Sequence, residues 1–208
     1  MNKIVKIEGT AMYLPGDDID TDRIIPARFL KAITFDGLGE NVFIDDRAQA
    51  KGQHPFHLPE NKGASILVTG ANFGCGSSRE HAVHALKLWG VQAIIAPSFA
   101  GIFRSNSTAN GLVCVEVSRL VMDELLNNLA SGRRDFSINL ERMVAQQHYD
   151  DPLYSWVGEL TMPESDRQML TNGTWDSLGT LLEADDLIKK TAQRLPASPI
   201  QLAGGSTI

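Results

Sequence analysis

The sequence predicts an α/β fold with a mostly parallel sheet layer over residues 64–130 and additional antiparallel strands after it. Within residues 64–130, short apolar runs alternate with stretches of helical periodicity, in the order strand, helix, strand, helix, strand, helix. This alternation is typical of a parallel sheet covered by helices. After residue 135 the runs are shorter and turn residues separate them, which favours antiparallel strands.

The length and composition of the chain fit one domain. The chain has 208 residues, of which 43% are hydrophobic, and this is enough to bury a core. From Pro196 onward, proline, glycine and serine are frequent. We therefore expect a single domain over residues 1–194, an irregular specificity or partner region over residues 30–62, and a disordered tail over residues 195–208.

The charge and hydropathy of the chain argue against several functions. The formal net charge is −6 and no basic run is present, so we expect no nucleic-acid partner. No apolar stretch approaches the ~20 residues of a membrane span, and the N-terminus lacks the apolar core of a signal peptide. We expect a cytoplasmic protein with no membrane partner. Two cysteines, Cys75 and Cys114, are too few to hold an iron–sulfur cluster, which usually needs three or four thiolates.

The first predicted element is a strand within residues 3–14, which a Pro15–Gly16 turn ends. The acidic segment at residues 17–22 follows it, with four carboxylates in six positions. Crowded carboxylates repel one another unless a cation lies among them. Two interpretations stay open: a solvated turn that caps the next segment, or a loop whose acids orient a substrate, a cation or an arginine.

Residues 27–62 have the weakest periodicity and are rich in loop-forming residues. A long irregular segment in a compact domain is usually functional or disordered. We expect a surface excursion that covers a site or contacts a partner. His54 and His57 lie three positions apart, but the intervening Pro55 argues against a helical pair of metal ligands.

The most informative stretch is Gly70–Ala82, which joins a buried strand over residues 64–69 to a helix over residues 79–89. Its glycines at positions 70, 74 and 76 permit backbone angles that other residues resist. Ser77 to Glu80 fits a capping box with Ser77 as the N-cap. Backbone N–H groups, two hydroxyls and a guanidinium then meet at one helix N-terminus, which predicts an anion site. The spacing matches neither a dinucleotide fingerprint nor a P-loop nor a hydrolase nucleophile elbow.

The remaining elements follow from the same rules. Gly90 ends the first helix, Ser98 is expected to cap the second, and Asn172–Gly173 stops a later one. Gln146–Pro152 is interpreted as the turn of the antiparallel part. The predicted strands are residues 91–96, 112–117, 135–140 and 154–160. The predicted helices lie within residues 97–107, 119–130 and 163–172, and a final helical portion is predicted at residues 178–182 and 184–194.

Three segments carry a resemblance to a known family. Asn72–Ala82 resembles the signature of the swivelling domain of the aconitase superfamily. Asp18–Pro26 resembles the first loop of that domain, and Ala96–Phe103 with Asn110–Leu112 resembles its third motif. With Phe29–Leu30–Lys31 after the first loop, the free-standing chain is similar to the small subunits of 3-isopropylmalate dehydratase, also called isopropylmalate isomerase.

The resemblance implies a swivelling β/β/α domain of the aconitase C-terminal type and a hydro-lyase that is active only with a large subunit. The implied assembly is a heterodimer or heterotetramer, in which the large subunit holds a [4Fe–4S] cluster and this chain binds no cofactor or metal of its own. The implied reaction isomerises 2-isopropylmalate and 3-isopropylmalate through dehydration to isopropylmaleate and rehydration, in leucine biosynthesis.

The resemblance also implies roles for individual residues. Ser77 matches the catalytic base, and the other matching positions bind or orient a small hydroxy-acid substrate: Ser78, Arg79, Asp20, Thr21 and Asp22. The anion loop contains Gly74 and Gly76, and an apolar wall for the substrate branch would come from Ile33, Phe35 and Leu38.

The sequence departs from the family pattern at some positions. Gly101 replaces a frequent acid, Val83–His84 replaces a more familiar Pro-Trp pair, and residues 40–60 are shorter than in many bacterial small subunits. Two alternatives therefore stay open. One keeps the fold and the mechanism but acts on another hydroxy-acid of the homoaconitate, citraconate or methylmalate type, and the other is a non-catalytic anion-binding domain.

Overall fold

A seven-stranded sheet organises the part of the chain that the structure, a computed structural model, describes: residues 2–31, 37–147 and 155–176. The strands are β1 (Lys6–Leu14), β2 (Ile66–Thr69), β3 (Ala93–Ala96), β4 (Val113–Glu116), β5 (Asp135–Asn139), β6 (Val144–Gln147) and β7 (Trp156–Glu159). The helices are α1 (Thr21–Ile24), α2 (Ile44–Gln49), α3 (Glu80–Trp89), α4 (Gly101–Ala109), α5 (Arg119–Ala130) and α6 (Glu164–Asn172).

The long strand β1 joins a parallel half of the sheet to an antiparallel half. The strand order is β4-β3-β2-β1-β5-β6-β7. The C-terminal part of β1 pairs in parallel with β2, from Ala11 opposite Ile66 to Leu14 opposite Thr69. Its N-terminal part pairs antiparallel with β5. The predicted α/β class, with a parallel layer followed by antiparallel strands, is confirmed.

Apolar side chains cover both faces of the parallel layer. Successive strand residues point to opposite faces, so Leu67 and Ile94 enter one core while Val68 and Ile95 enter the other. Helices α3 and α4 cover the first face. Helix α5 covers the second face through Met122 and Leu125. The parallel strands are therefore buried between two cores, one on each face of the sheet.

Two predicted helix caps are wrong. Helix α3 begins at Glu80, and its N-cap is Arg79, whose side chain makes no capping hydrogen bond. Ser77 lies too early to cap this helix, because the backbone is still extended at Arg79 (φ −122°, ψ 105°). Helix α4 has Ala100 as its N-cap, and the Ser98 hydroxyl instead accepts the Asn72 N–H at 2.9 Å.

In the described part of residues 37–62, a few buried side chains pack onto the core while most residues are exposed or half-buried, and the specificity or partner role stays a prediction. Val42 and Phe43 are fully buried. The ring of Phe56 lies 4.8 Å from that of Phe43 and 4.6 Å from that of Trp89. These aromatic contacts form an extension of the core beside α3. Short 3₁₀ turns carry much of residues 27–61: Ala27–Lys31, Leu38–Asn41, Pro55–His57 and Pro59–Asn61.

The antiparallel half contains one strand that the sequence did not predict. Val144–Gln147 forms β6 between β5 and β7, although residues 146–152 were interpreted as a turn. Helix α5 spans the predicted residues 119–130, and α6 ends at Asn172, before Gly173, which has a left-handed backbone (φ 82°). Three predictions lie outside the described residues: the rest of the turn predicted at residues 146–152, the helical portion predicted at residues 178–182 and 184–194, and the tail predicted at residues 195–208.

Candidate active site

The glycine-rich loop leaves the C-terminal end of β2 and leads to α3, at the edge of the sheet where parallel α/β proteins bind ligands. Gly74 and Gly76 both have positive φ, at 75° and 90°. A Cβ atom at Gly74 would overlap the ring of Phe103, which packs beneath the loop. Glycine is therefore required there both for the backbone conformation and for the close approach of α4.

The acidic loop before α1 runs alongside the glycine-rich loop and is hydrogen-bonded to it. The Asp18 N–H donates to the Ala71 carbonyl at 2.9 Å, and the Gly74 N–H donates to the Ile19 carbonyl at 2.8 Å. The Ala71 N–H in turn donates to the Asp17 carboxylate at 2.7 Å. Two loops more than fifty residues apart in the chain thus form one surface.

Each of the four crowded carboxylates has its own partner. Asp17 accepts from the Ala71 N–H and Asp18 from the Asn72 side-chain amide at 2.8 Å. Asp20 caps α1 by accepting the Arg23 N–H at 2.7 Å, and Asp22 pairs with Arg79. Both open interpretations of the segment therefore describe parts of it, because one acid caps a helix while another orients an arginine.

Thr21 makes two hydrogen bonds to the backbone of the glycine-rich loop. Its N–H donates to the Cys75 carbonyl and its hydroxyl donates to the Ser77 carbonyl, each at 2.9 Å. Thr21 is only 2% exposed. The first turn of α1 is thereby attached to the backbone on both sides of Gly76.

The third motif supports the loop from the side opposite the acidic segment. Phe73 and Phe99 form an isolated parallel bridge. The Phe73 N–H donates to the Ser98 carbonyl at 3.2 Å, and the Ala100 N–H donates to the Phe73 carbonyl at 3.0 Å. The structure thus brings together the three segments that carry the family resemblance.

The resulting surface combines exposed hydroxyls with a cation. Ser77 and Ser78 are exposed, and neither hydroxyl makes a hydrogen bond within the described ranges. Arg79 follows them, with its side chain 17% exposed and paired with Asp22, whose side chain is 53% exposed. The N-terminus of α3 adds a partial positive charge. This arrangement can bind a carboxylate and stabilise an alkoxide.

Of the three residues predicted to form an apolar wall for the substrate branch, Leu38 lies within the described residues. Leu38 is 4% exposed and belongs to the core cluster. Ile33 and Phe35 lie outside the described residues.

Neither thiol has the environment of a reactive cysteine. Burial, followed by the nearby carboxylates of Asp20 and Asp18, raises the pKa of Cys75. Burial in β4 raises the pKa of Cys114 to about 12. Both effects disfavour the thiolate, which is the form that attacks electrophiles and binds metals. Among the described residues, no three His, Cys, Asp or Glu side chains are grouped to hold a metal ion.

Two contacts near the site were not predicted from the sequence. The Asn110 amide donates to the Glu80 carboxylate at 2.9 Å and is the main cause of the lowered pKa of Glu80. Arg104 pairs with Glu116 at 3.2 Å and with Asp166 at 3.5 Å, which links α4 to β4 and α6. The Asn110–Gly111–Leu112 motif was the available sequence signal for the first contact. The sequence offers no signal for the contacts of Arg104, because Asp166 lies far from it along the chain.

The helices in the described part of the chain are all too short or too polar to span a membrane.

Comparisons with known proteins agree with this geometry. The family described as the aconitase C-terminal domain matches residues 1–120. The 3-isopropylmalate dehydratase small subunit of Synechocystis sp. is 45% identical, covering 94% of this chain and 96% of the relative. That of Thermus thermophilus is 41% identical with the same coverage. A crystal structure of 3-isopropylmalate dehydratase from Methanocaldococcus jannaschii superposes with a TM-score of 0.61 at 27% identity, covering 87% of this chain and 99% of that one. The chain therefore belongs to the family of 3-isopropylmalate dehydratase small subunits, which contains the aconitase C-terminal domain.

Proposed function

We propose that this chain is the small subunit of a 3-isopropylmalate dehydratase that interconverts 2-isopropylmalate and 3-isopropylmalate by dehydration and rehydration, in leucine biosynthesis. The observation that carries the proposal is the exposed pair Ser77 and Ser78 beside Arg79 at the N-terminus of α3. Family membership supplies the reaction, and this surface supplies groups of the kind that the reaction needs.

In this proposal Ser77 removes the proton from the substrate carbon and returns it during hydration. A serine hydroxyl is a poor base, so its alkoxide needs strong stabilisation. The helix N-terminus and the Arg79 guanidinium supply positive charge, and exclusion of water strengthens both. Ser78 and Arg79 bind a substrate carboxylate, which Arg79 can hold through two parallel hydrogen bonds.

A large subunit completes the site in this proposal. The exposure of Gly76, Ser77 and Ser78 supports it, because a second protein surface can cover them and exclude water. The [4Fe–4S] cluster belongs to that subunit, since this chain has two cysteines and Cys114 is 1% exposed within the core. When bound there, the cluster supplies a Lewis acid for the departing hydroxyl group.

The test is a reconstituted assay. This chain is co-expressed with the large subunit, the cluster is reconstituted anaerobically, and the absorbance of the unsaturated intermediate is followed. The substrates are 2-isopropylmalate, 3-isopropylmalate, citraconate and homoaconitate in parallel. Activity confined to the isopropylmalates supports the proposal, whereas activity on another acid moves the chain to a sister enzyme. No activity on any of them contradicts the catalytic role.

The Ser77→Ala variant tests the assigned base. We expect turnover to fall by at least about 10²-fold, the usual lower range for general-base catalysis, while association with the large subunit is retained. Ser131→Ala is the matched control, since Ser131 is an exposed serine whose hydroxyl bonds to the Asn127 carbonyl after α5. Near-normal turnover by Ser77→Ala would remove Ser77 from the mechanism.

A further inference from the structure

Thr21 makes two hydrogen bonds that bracket Gly76. Its N–H donates to the Cys75 carbonyl and its hydroxyl donates to the Ser77 carbonyl, each at 2.9 Å. Gly76 has φ 90°, in the region that favours glycine. The loop thus has a glycine immediately before the exposed Ser77, and Thr21 restrains the carbonyls on both sides of that glycine, one through its backbone N–H and one through its hydroxyl.

The two segments leave room for a Cβ atom at Gly76 only in ordinary van der Waals contact with the acidic loop. A Cβ atom at Gly76 would lie 3.4 Å from the Asp20 Cβ and 3.6 Å from the Thr21 hydroxyl oxygen. Because the Ser77 carbonyl and the Ser77 Cβ are attached to one backbone unit, fixing the direction of the carbonyl also restricts the direction of the side chain. The contact from Thr21 therefore restrains the backbone from which the Ser77 side chain projects.

The cap and the buried residues of α1 fix the position of Thr21. Asp20 caps the turn by accepting the Arg23 N–H at 2.7 Å. Ile24 and Ile25, at the end of the same turn, are fully buried. The Ile24 carbonyl accepts the Phe43 N–H at 2.9 Å, which connects α1 to the aromatic extension of the core. Positions that are locked by packing can hold a reactive group within the narrow limits that catalysis requires.

We propose that Thr21 is a positioning residue for Ser77 and acts on the reaction through this hydrogen bond rather than by contact with the substrate. The inference rests on the proposed function. Thr21 is 2% exposed, and its single hydroxyl proton is donated to the Ser77 carbonyl. Loss of that hydroxyl frees the Gly76–Ser77 unit to rotate, which misplaces the base while the carboxylate-binding groups Ser78 and Arg79 remain.

The test compares Thr21→Val with Thr21→Ser in the reconstituted complex. Valine keeps the shape and the N–H of threonine but lacks the hydroxyl. We expect Thr21→Val to lower kcat by roughly tenfold to a hundredfold, the range for a small misplacement of a reacting group. We expect KM to change by less than about twofold, because binding interactions are retained. Thr21→Ser keeps the hydroxyl donor, so we expect it to retain most of the wild-type kcat.

Thr108→Val is the matched control. Thr108 is also 2% exposed, but its hydroxyl has no hydrogen-bond partner within the described ranges. Its replacement therefore removes an equally buried hydroxyl without touching the loop, and kcat remains that of the wild type. Melting temperature and affinity for the large subunit are measured for all variants.

The outcomes separate the two proposals. A wild-type complex that is inactive on every acid overturns the proposed function and this inference with it. An active wild type with an unchanged kcat in Thr21→Val overturns only the role of Thr21. The role of Thr21 is also overturned if KM in Thr21→Val rises by as large a factor as kcat falls. A Thr21→Ser variant whose kcat falls as far as that of Thr21→Val overturns it too. If Thr21→Val fails to assemble, Thr21→Ala replaces it, because alanine also lacks the hydroxyl: a fall in kcat that Thr21→Ser does not show supports the inference, and a wild-type kcat contradicts it.

Discussion

Arg79 already binds one carboxylate within the chain, that of Asp22. The pair is only partly exposed, with 17% of the Arg79 side chain and 53% of the Asp22 side chain accessible. An arginine that contacts one acid with part of its planar fork keeps other N–H donors for a second acid. Asp22 therefore holds the guanidinium through one nitrogen and leaves other N–H donors for a second acid.

Replacing Arg79 by lysine should weaken substrate binding more than turnover. Lysine keeps the charge but lacks the fork that holds a carboxylate through two parallel bonds. We expect KM to rise by about tenfold, equivalent to ~1.4 kcal/mol of lost binding, with a smaller fall in kcat. Steady-state kinetics on the reconstituted complex measure both.

Arg167→Lys provides the control for that variant. Arg167 also grips a carboxylate with two bonds, to Glu164 at 2.8 and 2.7 Å, but it does so on α6. KM should stay at the wild-type value in this variant. An unchanged KM in Arg79→Lys would count against carboxylate binding by Arg79.

For single residues, the sequence indicated which segments lie together better than it indicated the contacts that each side chain makes. Asp22 and Arg79 were both singled out, and they pair. The caps assigned to Ser77 and Ser98 were wrong, because a capping rule reads a few neighbouring residues. It does not detect that Gly76 turns the chain early, or that the Ser98 hydroxyl is used by Asn72 in another loop.

At the scale of elements, the 3₁₀ turn Pro55–His57 depends on a histidine. The Nδ1 of His54 accepts the Phe56 N–H at 3.2 Å, and His54 is 7% exposed. Burial, which outweighs the attraction of Asp46, lowers the pKa of His54 below its ordinary value of 6.5. A protonated imidazole cannot accept that N–H, so the turn favours the neutral form.

This shift predicts an acid-sensitive stability. The folded pKa is depressed, so the unfolded chain binds more protons and the contribution of His54 is present above pH 6.5 and lost as the pH falls below it. Urea unfolding at pH 7.5 and 5.5 should show a smaller free energy of unfolding at the lower pH. His54→Asn keeps an acceptor without a titrating group, and its pH dependence should be weaker. Equal slopes for the two proteins would contradict the assignment.

Helices with a clear apolar stripe were predicted well, and buried irregular segments were not. Helix α5 spans the predicted range because Leu125 and Met122 recur at helical spacing on its buried side. Strand β6 was missed because it ends in two glutamines, of which Gln147 is 2% exposed. The burial of Phe43 and Phe56 arises from contacts with each other and with Trp89, and such tertiary contacts leave no periodic pattern.

At the scale of the whole molecule, the two cores share the same strands. Residues 66–68, 93–95 and 113–115 contribute side chains to both faces in alternation. A disturbance on one face therefore reaches the other through the sheet. We expect the described core to unfold as one cooperative unit.

Paired substitutions test this cooperativity. Leu86 and Leu125 are fully buried on opposite faces, and replacement of either by alanine should cost about 2–5 kcal/mol while leaving one melting transition. Leu88 and Leu120 are the matched controls, at 56% and 69% exposure on the same two helices, and their alanine variants should stay within about 0.5 kcal/mol of the wild type. Two separate transitions in either core variant would show that the faces unfold independently.

The closeness of the acidic loop to the glycine-rich loop also bears on how such chains diverge. A Cβ atom at Gly70 would collide with the Gly16 carbonyl and the Asp17 carboxylate, and the Asp17 carboxylate also binds the Ala71 N–H. We therefore expect residues 16–25 and 70–79 to change together during evolution, despite their distance along the chain. Recombination that brings in only one of them from a distant relative would pair mismatched surfaces, so productive crossovers must transfer both or neither.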